Sequence, residues 1–219
     1  MNRTLSVIAI LFILSFSAAC DKDYRSITEF TAADTAGHYP PYVKKPNIYI
    51  YPAEKIYLNI QLVFPNGGEI IESEPNYNNG WEIEVSPSGL INDRYNYLFY
   101  EARIPELMQK KYGWKIYGPD LGAFFIRNLQ SLCFAKNEID DFTEYWIPLL
   151  DPTKTYVIYP QFNDDLEQII QLKFSVPPDN LIRVIYLIAE YKENLAITAP
   201  RIPLFKREEF TVLEWGVIN

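Results

Sequence analysis

Lys55-Ile56-Tyr57-Leu58-Asn59-Ile60-Gln61-Leu62-Val63-Phe64 is the stretch that decides the fold class. Ile56, Leu58, Ile60, Leu62 and Phe64 take every second position, against Tyr57, Asn59 and Gln61. A period of two puts all five apolar side chains on one face of an extended chain, so the segment predicts a half-buried strand. Strands with one wet face belong to antiparallel sheets rather than to buried parallel ones.

Neighbouring segments repeat the pattern. Asn47-Ile48-Tyr49-Ile50-Tyr51 predicts a strand ended by Pro52, with Tyr49 and Tyr51 facing opposite to Ile48 and Ile50. One of those pairs must face outward or meet a second layer. Asn66-Gly67-Gly68 predicts a hairpin turn returning through a strand at Glu69 to Glu74. Turns at 76–80 and 86–89 separate further strands at Trp81 to Val85 and Tyr95 to Glu101.

The middle of the chain changes period. Leu121, Phe124, Phe125, Leu129 and Leu132 follow helical spacing, with Asp120 as the expected N-cap. A second helix is expected from Asn137, with Asp140 completing a capping-box variant. It would bury Ile139, Phe142 and Trp146 before Pro148 stops it. Strands resume at Tyr156 to Phe162, Gln168 to Val176, Leu181 to Glu190 and Phe210 to Trp215, with a tight turn at 177–180. The prediction is an α+β domain over 46–219, mainly antiparallel β in a sandwich-like meander, with a helical insertion near 119–148.

The N-terminus reads differently. Arg3 precedes an apolar run from Leu5 to Phe16, followed by the small residues Ser17-Ala18-Ala19 and then Cys20. That layout is a secretory signal peptide over 1–19, and the run is short for a membrane span. Ser17-Ala18-Ala19-Cys20 resembles the lipobox of bacterial lipoproteins, with Ser17 where an aliphatic residue is usual. The resemblance implies acylation of Cys20 by diacylglyceryl and palmitate-type chains, and residence in the cell envelope, anchored outside the cytoplasm on the periplasmic or surface side. Two or more acyl chains make such an anchor stable. Residues 20–45 are then expected to be the lipidated cysteine and a flexible tether, reaching ~25–30 Å.

Without residues 1–19 the chain keeps 19 of its 20 Lys+Arg and all 28 Asp+Glu, a net charge of −9. That argues against nucleic acid and against charge-driven binding to anionic lipid. Cys133 has no partner once Cys20 is acylated, and its apolar neighbours predict a buried structural thiol. The single histidine, His38, falls in the expected tether, which excludes His-based metal sites and catalytic triads. Asp140-Asp141 and Asp164-Asp165 offer carboxylates for Ca²⁺ but lack an EF-hand spacing. No cofactor motif is present.

Further segments resemble the signature of an exported bacterial domain. They are Lys45-Pro46-Asn47-Ile48-Tyr49-Ile50-Tyr51-Pro52, Pro75-Asn76-Tyr77-Asn78-Asn79-Gly80-Trp81, Tyr95-Asn96-Tyr97-Leu98-Phe99-Tyr100-Glu101, Glu144-Tyr145-Trp146-Ile147-Pro148 and Glu214-Trp215-Gly216. The resemblance implies a domain spanning most of 45–216 and no particular reaction.

Two chemistries compete for the aromatic-flanked acids Glu101, Glu144 and Glu214. Paired carboxylates across an aromatic cleft would suit glycan hydrolysis, which needs separations of ~5–9.5 Å. Alternatively they are structural acids in salt bridges, with Arg183 as a candidate partner. Tyr77, Trp81, Tyr97, Tyr100, Trp146 and Trp215 are candidate ligand-contacting aromatics, since such rings stack on sugars and peptides. They also suit a strand core. The expected role is a non-catalytic binding or structural module for a glycan or envelope protein. The alternative is a carboxylate-dependent glycan hydrolase.

Overall fold

The computed structural model describes residues 41–218. The signal, Cys20 and His38 lie outside them. The fold is α+β, mainly antiparallel β, with the helical insertion between two runs of strands. In chain order the elements are β1 (Tyr42–Tyr51), β2 (Ile56–Val63), β3 (Glu69–Glu74), β4 (Trp81–Val85), β5 (Leu98–Arg103) and β6 (Trp114–Tyr117). There follow α1 (Leu121–Ser131), α2 (Lys136–Trp146), β7 (Thr155–Phe162), α3 (Asn163–Leu166), β8 (Gln171–Phe174), β9 (Asn180–Glu190) and β10 (Thr211–Ile218).

Two sheets and a helical layer stack on one another. The large sheet runs β3-β5-β1-β10-β9-β7-β6 and the small one β4-β2-β8. Leu58, Ile60 and Leu62 of β2 pack against Ile48, Ile50, Leu98 and Val212 of the large sheet. The opposite face of the large sheet, carrying Tyr49, Tyr186, Leu213 and Trp215, packs against Phe125, Leu129, Phe142 and Trp146 of α1 and α2. Both faces of β1 are therefore covered, so the Tyr49 and Tyr51 pair meets a second layer instead of facing outward.

Pairing departs from the expected meander. Consecutive strands β1 to β5 alternate between the two sheets. Asn66-Gly67-Gly68 is a turn, closed by Gly67 N–H to the Phe64 carbonyl at 3.2 Å, but it carries the chain across the sandwich instead of closing a hairpin. The segment at 177–180 likewise links different sheets. Neighbours β9 and β10 are parallel, the one such pair among the named strands, so the chain between them must cross over. Residues 191–210 make that crossing as an irregular strap, packing Ile202 and Phe205 on the helical cluster.

β1 starts at Tyr42, so 42–45 belong to a central strand and not to a tether. Pro46 inside it cannot donate to either neighbour. A bulge between Lys44 and Asn47 absorbs it against both β10 and β5. The extra residue restores parity, so Val43 and Ile48 both point into the sandwich. Gly216 lies opposite; a Cβ there would sit 3.2–3.3 Å from Pro46.

Element ends differ locally. Asp120 precedes α1 but makes no side-chain cap, because a 3₁₀ turn over Gly118–Asp120 leads into the helix. α2 starts at Lys136, one residue early, and its first turn is closed by Glu138, not Asp140: the Glu138 carboxylate accepts from the Ala135 N–H at 2.6 Å. Residues 95–97 precede β5, and 168–170 precede β8. The short elements β6 and α3 are additional.

Candidate functional site

The helices cover the large sheet only in part. Over the remainder, beside β3 and β5, lies a half-open groove of about 460 Å³, lined by Lys45, Glu72, Glu74, Arg94, Tyr95, Asn96, Tyr97 and Phe99. Each lining residue has a local reason to be there. Glu74 pairs with Phe99 across β3 and β5, so both stand on the groove face. Lys45 is delivered by the β1 bulge, with φ +47, and its ammonium lies 4.0 Å above the Tyr145 ring of α2. Arg94 to Tyr97 form the loop pinned by the Ile91–Tyr95 bridge.

A polar cluster adjoins Tyr97. Its ring meets Tyr49 edge-on with centroids 5.4 Å apart. The Tyr49 hydroxyl donates to Asp141 Oδ2 at 2.8 Å and accepts from Asn47 Nδ2 at 3.4 Å. Burial, then the Asp141 charge, raises the Tyr97 pKa. Burial likewise raises that of Tyr49. Asn47 is fully buried, and its Oδ1 has no partner. An unpaired buried carbonyl costs about 1–3 kcal/mol.

The three candidate acids do not assemble into one site. Glu214 is fully buried between the sheets, accepting from the Tyr100 hydroxyl at 2.7 Å and from Arg183 Nε at 2.5 Å. It is a core ion pair with the Arg183 expected as partner. Glu101 alternates with Tyr100 on β5, so it faces away from that core, on the other side of the large sheet. Glu144 is on α2 and exposed. The carboxylate beside Glu101 is that of Glu72, its register partner on β3. Burial first, and then Glu72, raises the Glu101 pKa, while Lys44 and Lys45 oppose the rise. These two acids stand side by side on one sheet face rather than opposed across a cleft.

Of the six candidate aromatics, Trp81, Tyr100, Trp146 and Trp215 are core residues at 2% exposure or less, which corrects their assignment as ligand contacts. Trp215 donates to the Glu138 carbonyl at 2.9 Å, and Trp81 to that of Pro75 at 2.8 Å. Tyr77 is half-buried; its ring meets Trp81 edge-on, and its hydroxyl accepts from the Leu62 N–H at 2.6 Å. Tyr97 alone of the six lines the groove.

The other candidates have structural positions. Cys133 is half-buried rather than buried, at φ +67, with Sγ 3.4 Å from the Phe205 carbonyl. Asp165 accepts from the Phe162 N–H at 3.0 Å at the start of α3, and Asp140 pairs with Lys136 at 2.5 Å. Among the described residues no group of three or more His, Cys, Asp or Glu side chains is placed to hold a metal ion. No helix among them is long and apolar enough to cross a membrane.

Sequence reading missed Lys45, Glu72, Glu74, Arg94, Tyr95, Asn96 and Phe99 as lining residues. The one signal pointing there was Lys45-Pro46 inside a strand pattern, which demands a bulge. No known family matches the chain, and no curated protein or solved structure is detectably similar to it.

Proposed function

We propose that the protein is a lipid-anchored lipoprotein of the cell envelope, acylated at Cys20, whose β-rich domain is a non-catalytic binding module. The observation that carries the binding role is the groove: aromatic rings and both signs of charge converge on it, while the candidate acids are dispersed between core, sheet face and solvent. Lys45 and Arg94 beside Glu72 and Glu74 suit a ligand bearing both carboxylate and ammonium groups, and Tyr97 and Phe99 offer it apolar contact. A wall polymer carrying peptide stems has that chemistry, as does a segment of an envelope protein.

The anchor and the groove are compatible. A chain held through Cys20 enters the fold at Tyr42, beside Arg103. The groove gathers toward Phe99 at the other end of β5, roughly 13 Å along the strand at ~3.3 Å per residue.

Two measurements test the proposal. Palmitate labelling in a bacterial host should mark the wild type and not Cys20→Ser, and the label appearing in both removes the anchor. The mature chain carrying Cys20→Ser should co-sediment with purified sacculi and release no sugar. Sugar release would make the domain an enzyme.

A further inference from the structure

The small sheet turns its other face to solvent on the far side of the molecule from the groove. Leu58, Ile60 and Leu62 point inward, so β2 presents Tyr57, Asn59, Gln61 and Val63 outward. Register sets Glu84 and Glu82 of β4 beside Tyr57 and Asn59, and Lys173 of β8 beside Gln61. A shallow concavity of about 410 Å³ lies over Tyr57, Asn59, Glu82, Glu84 and Asn92.

We propose that this face is a second binding site, a platform for an uncharged oligosaccharide. Tyr57 is 76% exposed, a large area of apolar ring left in water on a flat surface. Ring faces of this kind stack on the C–H faces of sugars, and the phenol adds a polar tip. Asn59 and Gln61 continue the row at intervals of ~6.6 Å, two residues of strand rise. Each amide both donates and accepts, the pairing that vicinal hydroxyls require. Glu82 adds acceptors at the flank. Lys55 and Lys173 stand against Glu82 and Glu84, with Asp93 also beside Lys55, so the face has no positive excess to select a polyanion.

Two further observations indicate that the row is held ready and kept open. Lys55 donates to Glu84 at 2.5 Å, and Glu84 is the cross-strand register partner of Tyr57, so the carboxylate beside the ring is held in place before any ligand arrives. Gly80 flanks the amides at φ +146. A Cβ there would lie 3.5 Å from Gln61 Cγ and 3.6 Å from Asn59 Oδ1, and a longer side chain would extend over the row.

The test is affinity electrophoresis of the mature Cys20→Ser chain through gels holding a soluble β-1,4-glucan, a β-1,3-glucan or a galactomannan. A sulfated polysaccharide serves as the charged control. Retardation by at least one neutral polymer is expected, little changed by salt, weakened about tenfold by Tyr57→Ala and less by Asn59→Ala. Tyr97→Ala, in the groove, should leave it unchanged, which separates this site from the one proposed above. Tyr57 is exposed, so the variant should keep the wild-type melting temperature. The platform is refuted if none of the three neutral polymers retards the chain, if Tyr57→Ala is retarded as wild type, or if only the sulfated polymer binds.

Discussion

Arg183 Nε donates to Glu214 Oε2 at 2.5 Å with both side chains fully buried, which ties the adjacent parallel strands β9 and β10 together inside the sandwich. Arg183 Nη1 also donates to the Ile170 carbonyl at 2.8 Å, ahead of β8 in the other sheet. Removing one partner strands a charge in a low-dielectric core, at a cost of about 3–5 kcal/mol, a large share of the 5–15 kcal/mol typical of a domain. Arg183→Met is expected to lower the urea midpoint steeply. Arg183→Met combined with Glu214→Leu should recover part of the loss, because no unpaired charge remains. A double variant as unstable as the sum of the single ones would contradict the coupling.

The strap over 191–210 is fastened by Arg207. Its guanidinium donates to both oxygens of the fully buried Glu138, at 2.8 and 2.7 Å, and stacks over Tyr51 at 4.5 Å. A bidentate charged bond of this kind contributes about 2–3 kcal/mol. Arg207→Ala should speed amide exchange across the strap far more than within β9. Hydrogen exchange read by mass spectrometry checks this; uniform acceleration across the domain would show that the strap opens only with global unfolding.

Glu101 carries a pH signature. Its pKa is raised in the fold by burial and by Glu72, so the folded state holds that proton to higher pH than the unfolded chain. Stability from this group is complete below the ordinary glutamate value of about 4.3 and is lost as pH rises through the raised one. Glu101→Gln should therefore gain on wild type in urea midpoint between pH 4 and 7. A difference that is constant with pH, or that moves the other way, would contradict the assignment.

Alternation on β2 and β4 and the helical period of 121–146 were legible because each element repeats its pattern long enough to fix a face. Strand pairing was not: Asn66-Gly67-Gly68 specifies a turn but not whether the chain leaving it stays in the same sheet. Lys44 and Lys45 read as the end of the tether because a proline in a central strand is accommodated only by a bulge and by space opposite, here at Gly216, a partner far away in sequence. At the site, Tyr97 was legible, while Trp81, Tyr100, Trp146 and Trp215 misled because the same rings fill cores and bind ligands. Glu72 and Glu74 gave no signal, since charges on an edge strand are ordinary protection against edge pairing.

The most direct test of the binding module is amide chemical-shift mapping. ¹⁵N-labelled mature Cys20→Ser chain would be titrated with soluble fragments of sacculi, beside Tyr97→Ala. The account predicts shifts clustered at 72–74 and 94–99, absent in Tyr97→Ala at equal concentration, with the fragments unchanged afterward. No shifts in the groove, shifts that persist in Tyr97→Ala, or cleavage of the fragments would contradict it.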